Sequence, residues 1–247
     1  MNRLFLFTLL IASFYSYSQD TDEPVRVRYN LPGSPENTDP ARGDQGRVFT
    51  VKGSPYLNEI HKEGFIVNGA KKTKALLRYN AYYDSFQVLD ENKKKSFVAK
   101  SPTIKVVLDS TTYQLITYEE TVRDKALYYV PNTSNERING NKREGYFSVL
   151  NEGETTLYQK TFKRVPKFKQ AEHGYERFEP SAFVTITHYY IKRKHRPAVR
   201  IKLSKKEVLF ALNNKYDEVR AFIKKNKLKV KTVEEVNQVI AFYDTLN

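Results

Sequence analysis

The chain has 247 residues, no cysteine and no tryptophan, and carries 42 Lys and Arg against 28 Asp and Glu, a formal net charge of +14. The missing thiols exclude disulfide staples, thiolate catalysis and cysteine metal sites, while the length is sufficient for a core held by packing alone. Residues 160–247 hold 21 Lys and Arg with 9 Asp and Glu, a net of +12, and the other residues hold 21 and 19, a net of +2, so the C-terminal part favours polyanionic neighbours.

Arg3 precedes an apolar run over residues 4–12 that only Thr8 interrupts. The run is too short to span a bilayer and has the form of a secretory signal, with Ser16 and Ser18 at the positions a signal peptidase reads. The expectation is a signal peptide over residues 1–18, cleavage before Gln19, and export to the periplasm or cell envelope or out of the cell. No later run is apolar enough for a transmembrane helix. An exported protein rarely meets nucleic acid, so an anionic glycan, a lipid surface or an envelope protein is the preferred partner. Residues 19–46 hold Pro24, Pro32, Pro35 and Pro40 with Gly33, Gly43 and Gly46 and read as a flexible linker. Within it, Val25, Val27 and Tyr29 alternate with Arg26 and Arg28 as a short edge strand.

From Arg47 the apolar pattern has period two. Phe49 and Val51 alternate with polar neighbours until Pro55, which cannot donate to a ladder. Phe65, Ile66 and Val67 lead into Asn68-Gly69, a dipeptide that accepts positive φ and suits a hairpin. The lysines of residues 71–74 are expected to lengthen that loop before a return strand over 76–79. Strand pairs follow at 86–88 and 96–98 around Asp90-Glu91-Asn92-Lys93, and at 104–108 and 113–118 around Asp109-Ser110-Thr111-Thr112. A strand over 126–130 precedes a polar loop, and 146–150 with 156–165 make a hairpin around Asn151-Glu152-Gly153-Glu154. An irregular, charged stretch over 166–180 leads to residues 183–191, the most β-prone run, which put Val184, Ile186, His188 and Tyr190 on one face. Val199, Ile201 and Leu203 alternate after Pro197.

The period changes at Ser204. Ser204-Lys205-Lys206-Glu207 and Thr232-Val233-Glu234-Glu235 both fit capping boxes. Val208, Leu209 and Leu212 form one apolar stripe; Asn213-Asn214 break it and recap; Tyr216, Val219, Phe222 and Ile223 form a second; Val236, Val239, Ile240 and Tyr243 form a third. These predict about three short amphipathic helices.

Three segments carry a family resemblance: Gly53-Ser54-Pro55-Tyr56-Leu57-Asn58-Glu59, Leu77-Arg78-Tyr79-Asn80-Ala81-Tyr82-Tyr83-Asp84, and the capped helices ending in Ala241-Phe242-Tyr243-Asp244. They resemble a family of exported, β-rich proteins from Bacteroidota to which no activity is assigned. The resemblance implies export and a β-rich body and brings no catalytic residues with it. Its pattern accepts an acidic residue where this chain has Gln87, which weakens any role for a carboxylate at that position.

Few constellations carry chemistry. His61, His173, His188 and His195 make no metal-pair spacing, so no metal or cofactor is predicted. Among carboxylates of the β-rich part, Asp84 and Glu119 are the candidates for acid–base work, since hydrolysis of a glycan needs two carboxyl groups facing one another across a cleft. The binding candidate is the run of Tyr189, Tyr190, Lys192, Arg193, Lys194 and Arg196, in which aromatics able to stack on sugars feed a basic cluster able to pair with phosphate or carboxylate. A strand whose end is solvated by charge explains the same residues. Tyr79, Tyr82 and Tyr83 read either as an aromatic floor for a glycan or as tyrosines half-buried in a sheet.

The expected architecture is α+β: an antiparallel β-rich domain over residues 47–203, sandwich or open barrel, then a helical unit over 204–247. The expected role is a non-enzymatic binding or scaffolding module of the cell envelope. The alternative is a hydrolase of envelope or extracellular polymers.

Overall fold

The structure is a computed structural model that describes residues 15–16, 24–29, 47–119, 127–129, 142–167, 182–194 and 196–246. Its strands are β1 (Tyr15–Ser16), β2 (Arg26–Tyr29), β3 (Arg47–Thr50), β4 (Lys62–Asn68), β5 (Lys71–Asn80), β6 (Ser85–Leu89), β7 (Lys95–Val98), β8 (Ile104–Leu108), β9 (Thr111–Glu119), β10 (Tyr128–Tyr129), β11 (Lys142–Val149), β12 (Thr155–Pro166), β13 (Val184–Arg193) and β14 (Val199–Ile201). Three helices follow: α1 (Lys205–Ala211), α2 (Tyr216–Lys225) and α3 (Val233–Asp244). The antiparallel body and the three C-terminal helices are those the change of period at Ser204 implies. Residues 1–14, Glu120, the polar loop after residue 130, the irregular stretch after residue 167, His173 and His195 lie outside the described residues.

One sheet runs in the order β1-β7-β6-β5-β4-β8-β9-β11-β12-β13-β14, with β10 paired to β12 off this path. Strands β4 to β7 wind outward as a meander. Strand β8 then returns to the free side of β4, and the later strands extend the sheet the other way. Among the described residues the end strands do not pair with each other, so the sheet is open. Strand β1 falls within the segment expected to be a signal. Strand β2 falls within the segment expected to be linker, where the alternation of Val25, Val27 and Tyr29 pointed to it; it pairs with β3 as a separate ribbon. Val25 and Val51 are buried there against Tyr82 and Val165.

The β4–β5 hairpin is tighter than its lysines suggested. Asn68 pairs directly with Lys71, leaving Gly69 (φ 58°) and Ala70 as the turn. Positive φ at the first central position is the glycine-requiring feature of a type II′ turn. The lysines are accommodated on the hairpin arm: Lys74 pairs with Glu63 at 2.7 Å, and the Lys72 ammonium lies 3.9 Å from the centre of the Phe65 ring.

Each half of the sheet buries a different partner. Ile66, Leu77, Phe86, Val88, Ile104, Val106 and Leu115 form one cluster across β4 to β9. At the other end Leu157, Ile191 and Ile201 receive Val208, Leu212, Val219, Val236, Val239 and Ile240 from the helices. Each such side chain contributes about 1.5–3 kcal/mol on full burial, which is how helices too short to persist alone are held. Ser204 and Thr232 cap α1 and α3 by accepting from the Glu207 and Glu235 amides. Glu235 reaches back to the Lys229 and Lys231 amides, holding the turn that enters α3. Asn213 and Asn214 do not recap the chain as expected. They form a single 3-10 turn, and α2 starts without a side-chain cap.

The β11–β12 hairpin is open over most of its length. Strand β11 pairs with β9 from Lys142 to Ser148 and β12 pairs with β13 from Thr155 to Arg164, yet β11 meets β12 only at Ser148↔Gln159 and Val149↔Tyr158. The β5–β6 turn enters the resulting split: the Lys163 amide donates to the Ala81 carbonyl at 3.1 Å.

Candidate functional site

The split is closed by a buried ion pair. Asn80 shapes the turn by accepting from the Tyr82 and Tyr83 amides with its side-chain oxygen. The turn ends on Asp84 in the left-handed region, φ 53°, where Asp is among the few non-glycine residues that settle at modest cost. That conformation delivers the Asp84 carboxylate to the open edge of β11. It accepts the Tyr146 amide at 3.1 Å, the Tyr79 hydroxyl, and the Lys160 ammonium at 2.8 Å. Lys160 in turn donates to the Tyr146 carbonyl at 3.1 Å. A backbone donor and acceptor that lost their ladder partner are therefore satisfied by one acid and one base, as burial requires.

Lys160 is 1% exposed and Asp84 8%. The ammonium lies 4.9, 5.0 and 5.3 Å from the ring centres of Phe147, Phe162 and Tyr118, whose negative faces add to its stabilisation. Burial pushes the Asp84 carboxyl up, but the charges of Lys160 and Lys100 with hydrogen bonds from Lys160 and Tyr79 outweigh it and hold the group below the usual carboxylate range. For Lys160 burial prevails over the attraction of Asp84, so the ammonium sits lower than that of a solvated lysine. A β-carbon at Gly145 would overlap both Asp84 Oδ2 and Lys160 Nζ, so only glycine admits the pair at this place. The phenols of Tyr79 and Tyr146 are both pushed up by burial and by the Asp84 charge.

Of the two acid–base candidates, Asp84 is thus committed to three donors and sealed from solvent. Glu119 is exposed at the end of β9, and its neighbour Tyr118, on the opposite face, is the residue that turns towards Lys160. The structure does not bring these two carboxylates together as a pair around one substrate. Among the described residues no group of three or more His, Asp and Glu could hold a metal ion. Tyr79 and Tyr82 are buried, so the aromatic floor is core rather than a surface for a glycan.

The run from Tyr189 to Arg196 divides. Tyr190 is buried with Tyr118, Phe147, Tyr158 and Phe162, while Tyr189, on the opposite face, packs against the helix cluster. The Tyr190 ring is taken up by the aromatic cluster, and Tyr189 is half-buried against the helices. The charged part forms the β13–β14 tip: Lys192 donates to the Lys194 carbonyl, Lys194 pairs with Glu154 at 2.7 Å in solvent, and the Arg196 amide closes the turn on the Arg193 carbonyl. The Arg193 guanidinium reaches Asn214 Oδ1 at 2.6 Å, which also accepts the Tyr243 hydroxyl at 2.9 Å. Asn214 is thereby the joint between the basic tip and the helices.

Two other features were missed in the sequence. Lys160 alternates with Tyr158 and Phe162, so a charge sits on an aromatic face of one strand; that alternation was the available signal. Phe210 lies off the Val208–Leu209–Leu212 stripe and is 69% exposed. A large apolar residue on the polar side of a helix was the signal there. Beside Lys160, the aromatic face continues into a shallow concavity lined by Tyr118, Tyr128, Phe162, Arg164, His188 and Tyr190.

Gln87 is buried where Arg78 and His61 converge, its Oε1 accepting from Arg78 Nε at 2.7 Å and lying 3.1 Å from His61 Nε2. The Arg78 guanidinium stacks 3.7 Å from the Tyr56 ring centre and reaches the Glu59 carbonyl. The resembling segments around Tyr56 and Tyr79 are thus bound to each other as a structural unit. Searches against protein-family models, curated proteins and solved structures found no match to the chain.

Proposed function

We propose that this protein is an exported cell-envelope module that works by contact, using its C-terminal basic surface to hold a polyanion. One observation carries the reading. Residues 192–231 contain fifteen Lys and Arg against Glu207, Asp217 and Glu218, and twelve of the fifteen are exposed on the β13–β14 tip, the helices and their connections. Such a density of one sign costs folding energy through self-repulsion and attracts acidic polymers and surfaces. The apolar run over residues 4–12 followed by Ser16 and Ser18 supports export.

Retention on dextran sulfate tests the reading. Screening shortens the reach of charge to roughly 10 Å at 0.1 M salt and 3 Å at 1 M, so elution should shift strongly across that range. Retention that ignores salt, or none at low salt, overturns it. Replacing Lys192, Arg193, Lys194 and Arg196 together with Ser should weaken retention while the far-UV circular dichroism is unchanged. Cell fractionation with N-terminal sequencing tests export; an intact cytosolic product refutes that part.

A further inference from the structure

Resting on the polyanion reading, and narrowing it, we propose that the anion is the phospholipid surface of a bilayer, on which Phe210 inserts between Lys206 and the basic β13–β14 tip. Phe210 projects from the solvent face of α1 and is 69% exposed, while Val208, Leu209 and Ala211 on the same helix are buried. Lys206, exposed, stands one turn before it on the same face of α1, and past the end of α1 the chain enters the 3-10 turn that holds Asn214, also exposed. Asn214 holds Arg193 at 2.6 Å, and Lys194 and Arg196 follow exposed in the same tip. The result is an exposed cation and an exposed apolar ring on α1, followed in the chain by the turn to which the basic tip is bonded. Tyr216, two residues after Asn214, is 43% exposed.

The exposed ring selects among polyanions. A glycan or an acidic peptide is gathered by hydrogen bonds and by rings laid flat in a cleft, and a phenylalanine projecting from a helix supplies neither. A bilayer interface rewards that arrangement: apolar side chains enter the headgroup–acyl boundary while lysines and arginines meet anionic headgroups. Acidic groups offset part of the charge: Glu154 pairs with Lys194 at 2.7 Å, Glu207 is half-buried on α1, and Asp217 and Glu218 lie in the first turn of α2; Lys206, Arg193 and Arg196 remain for the headgroups.

The chain has no tryptophan, so Phe210→Trp places a single reporter at the predicted point of insertion. The full chain carrying it is titrated with vesicles of 3:1 phosphatidylcholine and phosphatidylglycerol, with phosphatidylcholine vesicles, and with dextran sulfate. The N-terminal apolar run meets both vesicles alike, so the difference between them is the measurement. The expected result is a blue-shifted emission with the anionic vesicles that is absent with dextran sulfate, and an about tenfold loss of vesicle affinity in Phe210→Ser with dextran sulfate binding unchanged. Binding to dextran sulfate with no blue shift on vesicles, or Phe210→Ser that binds anionic vesicles as well as the parent, overturns bilayer docking and leaves the polyanion reading standing with a glycan or acidic protein as ligand. Binding to neither overturns both.

Discussion

Replacing Lys160 with Met tests whether the buried ion pair holds the split sheet together. Methionine keeps the length and the packing on Phe147, Phe162 and Tyr118 but removes the cation. The Asp84 carboxylate then retains the Tyr79 hydroxyl and the Tyr146 amide, with no positive charge at 2.8 Å, and the Tyr146 carbonyl loses its donor. Leaving one partner of a buried pair uncompensated costs about 3–5 kcal/mol. Asp84→Asn removes the opposite charge at a position whose left-handed backbone Asn tolerates, and costs a similar amount because the ammonium stays buried. Combining the two removes both charges and leaves chiefly the unmade hydrogen bond at the Tyr146 carbonyl, about 1–3 kcal/mol. The double variant should therefore be more stable than the sum of the single losses by at least ~2 kcal/mol. Urea unfolding followed by far-UV circular dichroism measures all four free energies. A loss below about 1 kcal/mol in Lys160→Met, or strict additivity in the double variant, refutes the account.

Three further outcomes follow from the same geometry. Gly145→Ala should lower the urea midpoint about as much as Lys160→Met, because the added carbon displaces the pair rather than filling space; a change within ~0.5 kcal/mol contradicts the close approach. Since the folded Asp84 carboxyl lies below its unfolded value of about 3.9, the pair's contribution is complete above that pH and is lost as pH falls through the folded value. Urea midpoints measured from pH 6 downward should fall in the acid range, with a flatter fall in Lys160→Met; parallel curves for the two proteins would show that the pair is not the source. At the other junction, His61 is held below its ordinary value by burial and the Arg78 charge. Gln87→Glu should raise the His61 value, followed by NMR titration, and stabilise the fold at neutral pH by replacing an amide whose Nε2 has no partner among the described residues; an unmoved His61 titration argues against the Arg78–Gln87–His61 arrangement.

Period, capping and charge were set locally and could be read without the fold. The alternation of Ile186, His188 and Tyr190 named a strand face, Ser204 and Thr232 named two helix starts, and the lysines and arginines after residue 191 named a basic surface, because strand pitch, a first-turn amide and solvated charge each depend on a few neighbouring residues. What neighbours in sequence do not contain is which distant strand fails to pair. The opening between β11 and β12 brings Asp84 to Lys160 across 76 positions of chain, and only that opening turns an ordinary turn aspartate and a strand lysine into a buried pair, with the Tyr79 hydroxyl taken up by Asp84. Phe210 falls off the apolar stripe of its helix in the sequence, but only the packing of α1 against β14 leaves its ring on the surface. Burial is a property of the assembled layers, so the roles of Asp84, Lys160 and Phe210 were decided by tertiary packing.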